Sequence, residues 1–388
     1  MIVRSVFAAA AAVIAVVLGL CTFVIARFQV PDPLLRLSVV VSNYGLYLIP
    51  FGLVGIGLAM LARLRAGRVV RAFGALTVLV CVVGIVAAFV PVVASWREAQ
   101  RHGATLSIGD YLSGGSNTGK PDPRLAVGYH TIEGEELLLD VKLPISESAA
   151  LRPAVVWVHG GGWTEGGRED APKWHRWLND KGYAVFSIDY RLSPPPRWDQ
   201  APGDVKCAVG WLKQHAADYL VDPSRVMLAG GSAGGNLALL GAYSDERVPA
   251  SCPVTDTSVA AVVAFYPPTD LIAAVRDPLL LSESHELVRD FTGGTLEEVP
   301  DRYAAASPVH YVRPGLPPTL LIHGTRDHVV PYAQSVELID RLDAVGVRNE
   351  LLAIPYGEHA YDIAWGDWGT QISRKVFGDF LNRYFPVN

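Results

Sequence analysis

Residues 225–240 read Arg225-Val226-Met227-Leu228-Ala229-Gly230-Gly231-Ser232-Ala233-Gly234-Gly235-Asn236-Leu237-Ala238-Leu239-Leu240. An apolar run of strand length gives way to small residues, which pass directly into a run of helix formers. The centre, Gly230-x-Ser232-x-Gly234, is the pattern of a serine carried on a sharp strand-to-helix turn. Such a turn is strained and crowded, so glycine is needed where neighbouring chain passes close by. The helix that follows points its positive end at the serine and favours negative charge developing there. Taken alone, the pentapeptide also fits a glycine-rich turn with a solvated serine, because the chain has 37 glycines. The partners elsewhere in the chain separate the two readings.

Outward from Ser232, apolar runs alternate with helical stretches. Runs at 154–158, 183–188, 259–265, 319–322 and 350–354 read as strands; 172–181, 203–219, 332–345 and 371–384 read as helices. Ahead of them, 126–132 and 136–143 flank Glu133-Gly134-Glu135 and read as an antiparallel hairpin. This order predicts an α/β fold with a mostly parallel sheet covered on both faces by helices. Residues 267–317 are irregular and are expected to form a small cap insert over the site.

At the end of the 154–158 run comes His159-Gly160-Gly161-Gly162-Trp163. Backbone N–H groups without side chains can approach a carbonyl oxygen and hold the negative charge of a tetrahedral intermediate. Further motifs are Asp189-Tyr190-Arg191-Leu192-Ser193-Pro194, His323-Gly324-Thr325-Arg326-Asp327-His328-Val329-Val330-Pro331 and Gly357-Glu358-His359. With these, residues 125–385 resemble the α/β-hydrolase esterase/lipase family. The similarity is to its His-Gly-Gly-Gly branch of acetyl-esterase-like and hormone-sensitive-lipase-like enzymes. The resemblance implies the α/β-hydrolase fold and a serine carboxylesterase or lipase with the triad Ser232, Asp327 and His359. It implies oxyanion donors at the N–H groups of Gly161, Gly162 and Ala233, and neither a metal nor an organic cofactor.

The chemistry agrees from the residues themselves. Serine is a poor nucleophile at neutral pH and needs an imidazole to take its proton, and a carboxylate fixes that imidazole. Asp327 and His359 each follow a strand-like run, where a loop presents them at the sheet edge that carries Ser232. His328 is a rival base, Asp189 and Asp270 are rival acids, and His323 is expected to be structural. Trp163, Tyr190 and Trp198 are candidate pocket residues. Two departures from the hormone-sensitive-lipase-like pattern place the chain nearer the acetyl-esterase-like members. Gly231 stands where an acidic residue is usual, and no N-terminal cap helices precede the hydrolase region. An amidase or peptidase on the same fold, and a catalytically silent hydrolase-like binding domain, remain as alternatives.

The N-terminal quarter differs in kind. Residues 5–26, 37–62 and 72–95 are three uncharged, mostly apolar runs. Each exceeds the roughly 20 residues needed to cross a bilayer as a helix. Residues 1–96 are therefore expected to be an integral membrane anchor, its first run a retained helix rather than a cleaved leader. Glycines 52, 55 and 57 either permit close packing or are merely tolerated. Arg63, Arg65, Arg68 and Arg71 lie between the second and third runs; the earlier loop has Arg27, Asp32 and Arg36. The positive-inside rule puts the N-terminus in the cytoplasm and the hydrolase region outside it. No charge in the spans suggests a transport path. A linker is expected at 97–124 and the catalytic domain at 125–388. Beyond residue 96 the net charge is −11, which argues against a nucleic-acid partner and leaves a small-molecule or lipid ester as substrate.

Cys207 and Cys252 are the cysteines outside the apolar runs. The sheet order implied by the resemblance brings the 203–219 helix near the end of the nucleophile helix. A disulfide between them is expected if the domain is exported. Two unpaired thiols are the alternative.

Overall fold

The computed structural model describes residues 2–27, 34–64, 66–115, 125–132, 134–145, 150–278 and 280–387. Asp32, Arg65, Glu133, the Arg4 side chain and the 116–124 part of the expected linker lie outside the described residues. The chain forms two compact units: Met1–Gly114 with Ile354–Ile372, and Gly115–Ala353 with Ser373–Asn388.

The first unit is built on α1 (Ile2–Ala26), α2 (Leu35–Tyr44), α3 (Leu48–Arg63), α4 (Arg68–Arg101) and α5 (Ile108–Ser113). Ser5–Ala26, Leu35–Arg63 and Arg68–Arg101 are long and apolar enough to cross a membrane. The middle one is broken, because a 3₁₀ turn at Gly45–Tyr47 separates α2 from α3. A Cβ on Gly52 would lie 2.6 Å from Ile85 Cγ1, and one on Gly55 2.6 Å from Ile14 Cγ2. These glycines let backbones approach, whereas Gly57 faces open space.

The helix α4 runs past the apolar stretch into what the sequence suggested was linker. Hydropathy marks where apolar side chains stop, not where helical hydrogen bonding stops. Glu98 pairs with Arg101 at 2.8 Å and His102 at 3.1 Å in this last turn. α5 also falls in the expected linker. Ser107 caps it, its Oγ accepting from Asp110 N at 3.1 Å.

The second unit is built on one eight-stranded sheet. Its strands are β1 (Leu125–Ile132), β2 (Glu135–Lys142), β3 (Arg152–Val158), β4 (Ala184–Ile188), β5 (Val221–Gly231), β6 (Ala261–Phe265), β7 (Thr319–Gly324) and β8 (Asn349–Ile354). Their spatial order is β1-β2-β4-β3-β5-β6-β7-β8. β2 pairs antiparallel with β1 and β4, and the β4-β3-β5-β6-β7 succession is parallel. β3, β4 and β6 are buried along their whole length, as strands covered on both faces must be. The connecting helices are α6 (Pro172–Asp180), α7 (Gln200–Gln214), α8 (Ala233–Tyr243) and α12 (Ala333–Ala344). This is the α/β-hydrolase arrangement. Among the described residues, 267–317 hold the short helices α9 (Leu271–Arg276), α10 (Ser282–Thr292) and α11 (Pro300–Ala305), and α13 (Trp368–Tyr384) follows β8.

Two links pin α7 in place. Arg191 meets Asp204 through Nε–Oδ2 at 2.9 Å and Nη2–Oδ1 at 2.7 Å, with both residues buried. A planar guanidinium fits a carboxylate in this two-point way. Cys207 is joined to Cys252 in a disulfide with Cα atoms 5.4 Å apart.

Candidate active site

Parallel pairing sets the site. Val158 lies beside Gly230, and Gly231 beside Phe265, so β3 and β5 end side by side. Ser232 follows β5 with φ 57° and ψ −126°, a conformation that side-chain-bearing residues rarely adopt. Such strain costs on the order of 1–3 kcal/mol and persists only where surroundings enforce it. Here Ser232 N donates to Phe265 O at 2.9 Å, and Asn236 N donates to Ser232 O at 3.0 Å. A Cβ on Gly234 would sit 2.2 Å from Val158 O and 2.3 Å from His159 O. The serine turn and the His159-Gly160-Gly161-Gly162 loop are therefore packed as one piece.

That loop is braced from behind. His159 Nδ1–H donates to Gly160 O at 2.7 Å, and its ring stacks on Tyr190 with centroids 4.3 Å apart. Tyr190 OH donates to His159 O at 3.1 Å. Desolvation by burial holds the His159 imidazole below its usual pKa, against the Gly160 hydrogen bond and nearby acidic groups. Gly161 has φ 100°, and a Cβ there would lie 2.1 Å from Glu165 O. Thr164 N and Glu165 N both donate to Gly161 O at 3.0 Å. Among the described residues, no acceptor takes the N–H of Gly161 or Gly162.

Ser232, Ala233, Gly162 and Trp163 open onto one cavity. Apart from Ser284, its other walls are apolar: Leu271, Leu287 and Val288 come from the 267–317 insert, and Val329 and Val330 from the loop after β7. Trp163 stacks on Phe291 of α10, centroids 4.5 Å apart. Of the three aromatic candidates, Trp163 alone lines this cavity among the described residues. Tyr190 follows β4, which flanks β3 on the side away from β5, so it sits behind the glycine loop. Trp198 lies beneath the Arg302 guanidinium, 6.0 Å from its ring centroid.

Asp327 is buried on the loop after β7. Its Oδ1 accepts from Val329 N at 2.9 Å and Val330 N at 2.8 Å, and its Oδ2 is 3.3 Å from His323 Nε2. Both valines whose N–H groups fix the carboxylate line the cavity that Ser232 opens onto. His323 is fully buried, with Nε2–H donating to Val330 O at 2.9 Å and Nδ1 2.7 Å from Ser335 Oγ. It is a structural group. His328 is half-buried.

His359 is also half-buried and belongs to the other unit, in Ile354–Ile372. Tyr356 (φ 61°) and Ala360 (φ 55°) bracket it in left-handed backbone. Glu358, directly before it, is buried and accepts a hydrogen bond from Ser38 Oγ. The rival acids are engaged elsewhere: Asp189 holds Arg168 at 2.6 Å, and Asp270 caps α9 by accepting from Ala273 N at 3.0 Å.

Two side chains that organise this region were not singled out from the sequence. Asn236, fully buried one turn into α8, donates to Pro268 O at 2.9 Å and Ala306 O at 3.1 Å, tying the serine helix to the insert. Gln334 accepts from Thr269 N at 2.9 Å and Asp270 N at 2.7 Å. Asn236 carried a readable signal, a lone amide in an otherwise apolar helix.

Residues 139–342 match the BD-FAE family model. The chain belongs to the BD-FAE family. Within the α/β-hydrolases, this BD-FAE chain is 33% identical over 255 residues to "Esterase LipQ" of Mycobacterium tuberculosis, covering 64% of this chain and 59% of LipQ. It is 31% identical over 233 residues to that organism's "Probable carboxylic ester hydrolase LipM", covering 58% of this chain and 53% of LipM. The chain thus spans little more than half the length of these curated relatives. Among solved structures it is similar to esterase 2 of Thermogutta terrifontis. The apo form matches at 25% identity and TM-score 0.58, over 70% of this chain and 98% of that one. The same esterase has a butyrate-bound structure, matching at 25% identity and TM-score 0.56 over 68% and 95%.

Proposed function

We propose that this BD-FAE protein is a membrane-anchored carboxylic ester hydrolase acting outside the cytoplasm through an acyl-enzyme. One observation carries the reading: Ser232 is held at φ 57° at the end of a central strand, opening onto an apolar cavity beside two backbone N–H groups that no acceptor among the described residues takes. An apolar cavity suits an acyl chain, and butyrate bound to the Thermogutta esterase supports a short one. The similarity to an esterase, LipQ, and a probable carboxylic ester hydrolase, LipM, supports the ester over the amide.

In this mechanism Ser232 Oγ attacks the ester carbonyl while His359 takes its proton. Asp327, fixed by two backbone donors, orients His359 and stabilises the imidazolium. The Gly161, Gly162 and Ala233 N–H groups hold the oxyanion. His359 returns the proton to the departing alcohol, and water then releases the acid by the same steps in reverse.

A fluorophosphonate probe and p-nitrophenyl esters of rising chain length test the proposal. Ser232→Ala is expected to abolish labelling and to lower kcat by roughly 10⁴-fold or more, with His359→Ala nearly as severe because the two act as a unit. His328→Ala is expected to be mild. Loss of activity in His328→Ala with activity kept in His359→Ala would overturn the base assignment.

A further inference from the structure

We infer that α2 positions the catalytic base: Ser38 and Ser42 hold the loop that carries His359, so the apolar helices belong to the catalytic apparatus as well as to the anchor. The inference rests on His359 being the base. Its starting point is strain. Two residues with side chains, Tyr356 and Ala360, sit in left-handed backbone on either side of His359. Such a loop keeps its shape only if contacts over-determine it.

Those contacts come from the N-terminal helices. Ser38 and Ser42 are four residues apart, hence on one face of α2. Ser42 Oγ donates to the carbonyl of the strained Tyr356 itself at 2.8 Å. Ser38 Oγ donates to the Glu358 carboxylate, next to His359 in the chain, and both residues are buried. Hydroxyls in apolar helices commonly bond back to their own helix, as Thr22 Oγ1 does to Leu18 O at 2.7 Å. Ser38 and Ser42 donate to the loop instead. Between them Val41 is buried in a cluster with Cys21 and Ile25, against which Tyr356 packs.

The far end of the same segment is clasped too. Ser107 N donates to Gln371 Oε1 at 2.7 Å, and Gln371 Nε2 donates back to Ser107 O at 3.0 Å. Tyr111 of α5 meets Trp368 edge-on at 5.8 Å. Segment 354–372 therefore takes polar and apolar support from residues 21–111, far from it in sequence. Ser38, Ser42 and Glu358 are positioning residues that act through His359.

The test uses the full-length chain in detergent micelles, comparing wild type, Ser38→Ala/Ser42→Ala, Ser38→Thr and His359→Ala. Two readouts are taken: hydrogen exchange of residues 355–362, and kcat and KM for p-nitrophenyl butyrate. The double variant is expected to exchange faster at 355–362 while β3 and β5 stay protected, which shows that it is folded. Its kcat is expected to fall about tenfold or more, as for a small misplacement of a catalytic group, with KM nearly unchanged. Ser38→Thr, which keeps the hydroxyl, is expected to behave as wild type. Unchanged exchange at 355–362 in the double variant overturns the inference whatever the activity. Faster exchange with unchanged kcat also overturns it, and His359→Ala then separates the causes. If His359→Ala is inactive, the brace does not matter to catalysis; if it is active, the base was assigned wrongly.

Discussion

At the scale of single residues, the site depends on backbone approach as much as on reactive side chains. The Ser232 turn and the glycine loop meet where a Cβ on Gly234 would fall 2.2 Å from one carbonyl oxygen and 2.3 Å from the next. Both obstacles are backbone in fully buried structure, so neither can swing aside. Gly234→Ala is expected to destabilise the protein by about 3 kcal/mol, the upper end of ordinary overpacking. It is also expected to remove activity in whatever fraction folds, because Gly161 and Gly162 would be pushed away from Ser232. Urea denaturation with fluorophosphonate labelling checks this, and a variant that labels at the wild-type rate sinks the account.

At the scale of elements, two local devices hold pieces of the fold. The first is Asp367, immediately before α13. It keeps some exposed surface as a residue, but its carboxyl lies among protein atoms, and burial pushes its pKa up to about 7 against backbone donors including Gly369 N at 2.7 Å. The folded state thus holds a proton that the unfolded chain releases near the ordinary aspartate value of 3.8. This stabilisation is full below that value, declines as pH rises and is gone above about 7. Protection of segment 354–372, corrected for chemical exchange, is expected to be greater at pH 5 than at pH 8. Asp367→Asn should flatten the difference, and an unchanged slope in that variant refutes the assignment.

The second device is the Cys207–Cys252 pair, which closes a 45-residue separation between α7 and the loop after α8. Chain entropy alone assigns such a link roughly 4 kcal/mol, and measured values often fall lower. The His130 ring lies within 4.8 Å of both sulfurs. The denatured, unreduced protein is expected to show two thiols, Cys21 and Cys81, out of four cysteines. Four thiols in protein from an oxidising compartment would rule the disulfide out there.

At the scale of the whole molecule, the proposed orientation in the bilayer rests on charge. Among the described residues, three helical stretches are long and apolar enough to cross, and arginines cluster between the second and third. The proposed orientation keeps those cations in the cytoplasm and the hydrolase outside it. A reporter enzyme active only outside the cytoplasm is expected to work when fused after Asn388 and to be silent when fused at Gly67. The reverse pattern overturns the orientation.

Much of this molecule is determined locally and is therefore legible along the chain. Strand and helix alternation follows from side-chain periodicity, the apolar spans from composition, and the Ser232 turn from the spacing of its glycines. The family motifs point to Asp327 and His359 as the proposed acid and base for the same reason: each stands at a fixed place after a strand. What pairs across long sequence distances was not legible. Tyr190 and Trp198 read as pocket aromatics, but strand order puts Tyr190 behind the glycine loop, and no local pattern encodes on which side of β3 its neighbour lies. Asn236 and Gln334 clasp the insert through backbone carbonyls and N–H groups, which every residue carries and no sequence distinguishes. Ser38 and Glu358 are separated by 320 residues. A serine in an apolar helix and a glutamate beside a histidine have no shared signature until folding brings them within a hydrogen bond.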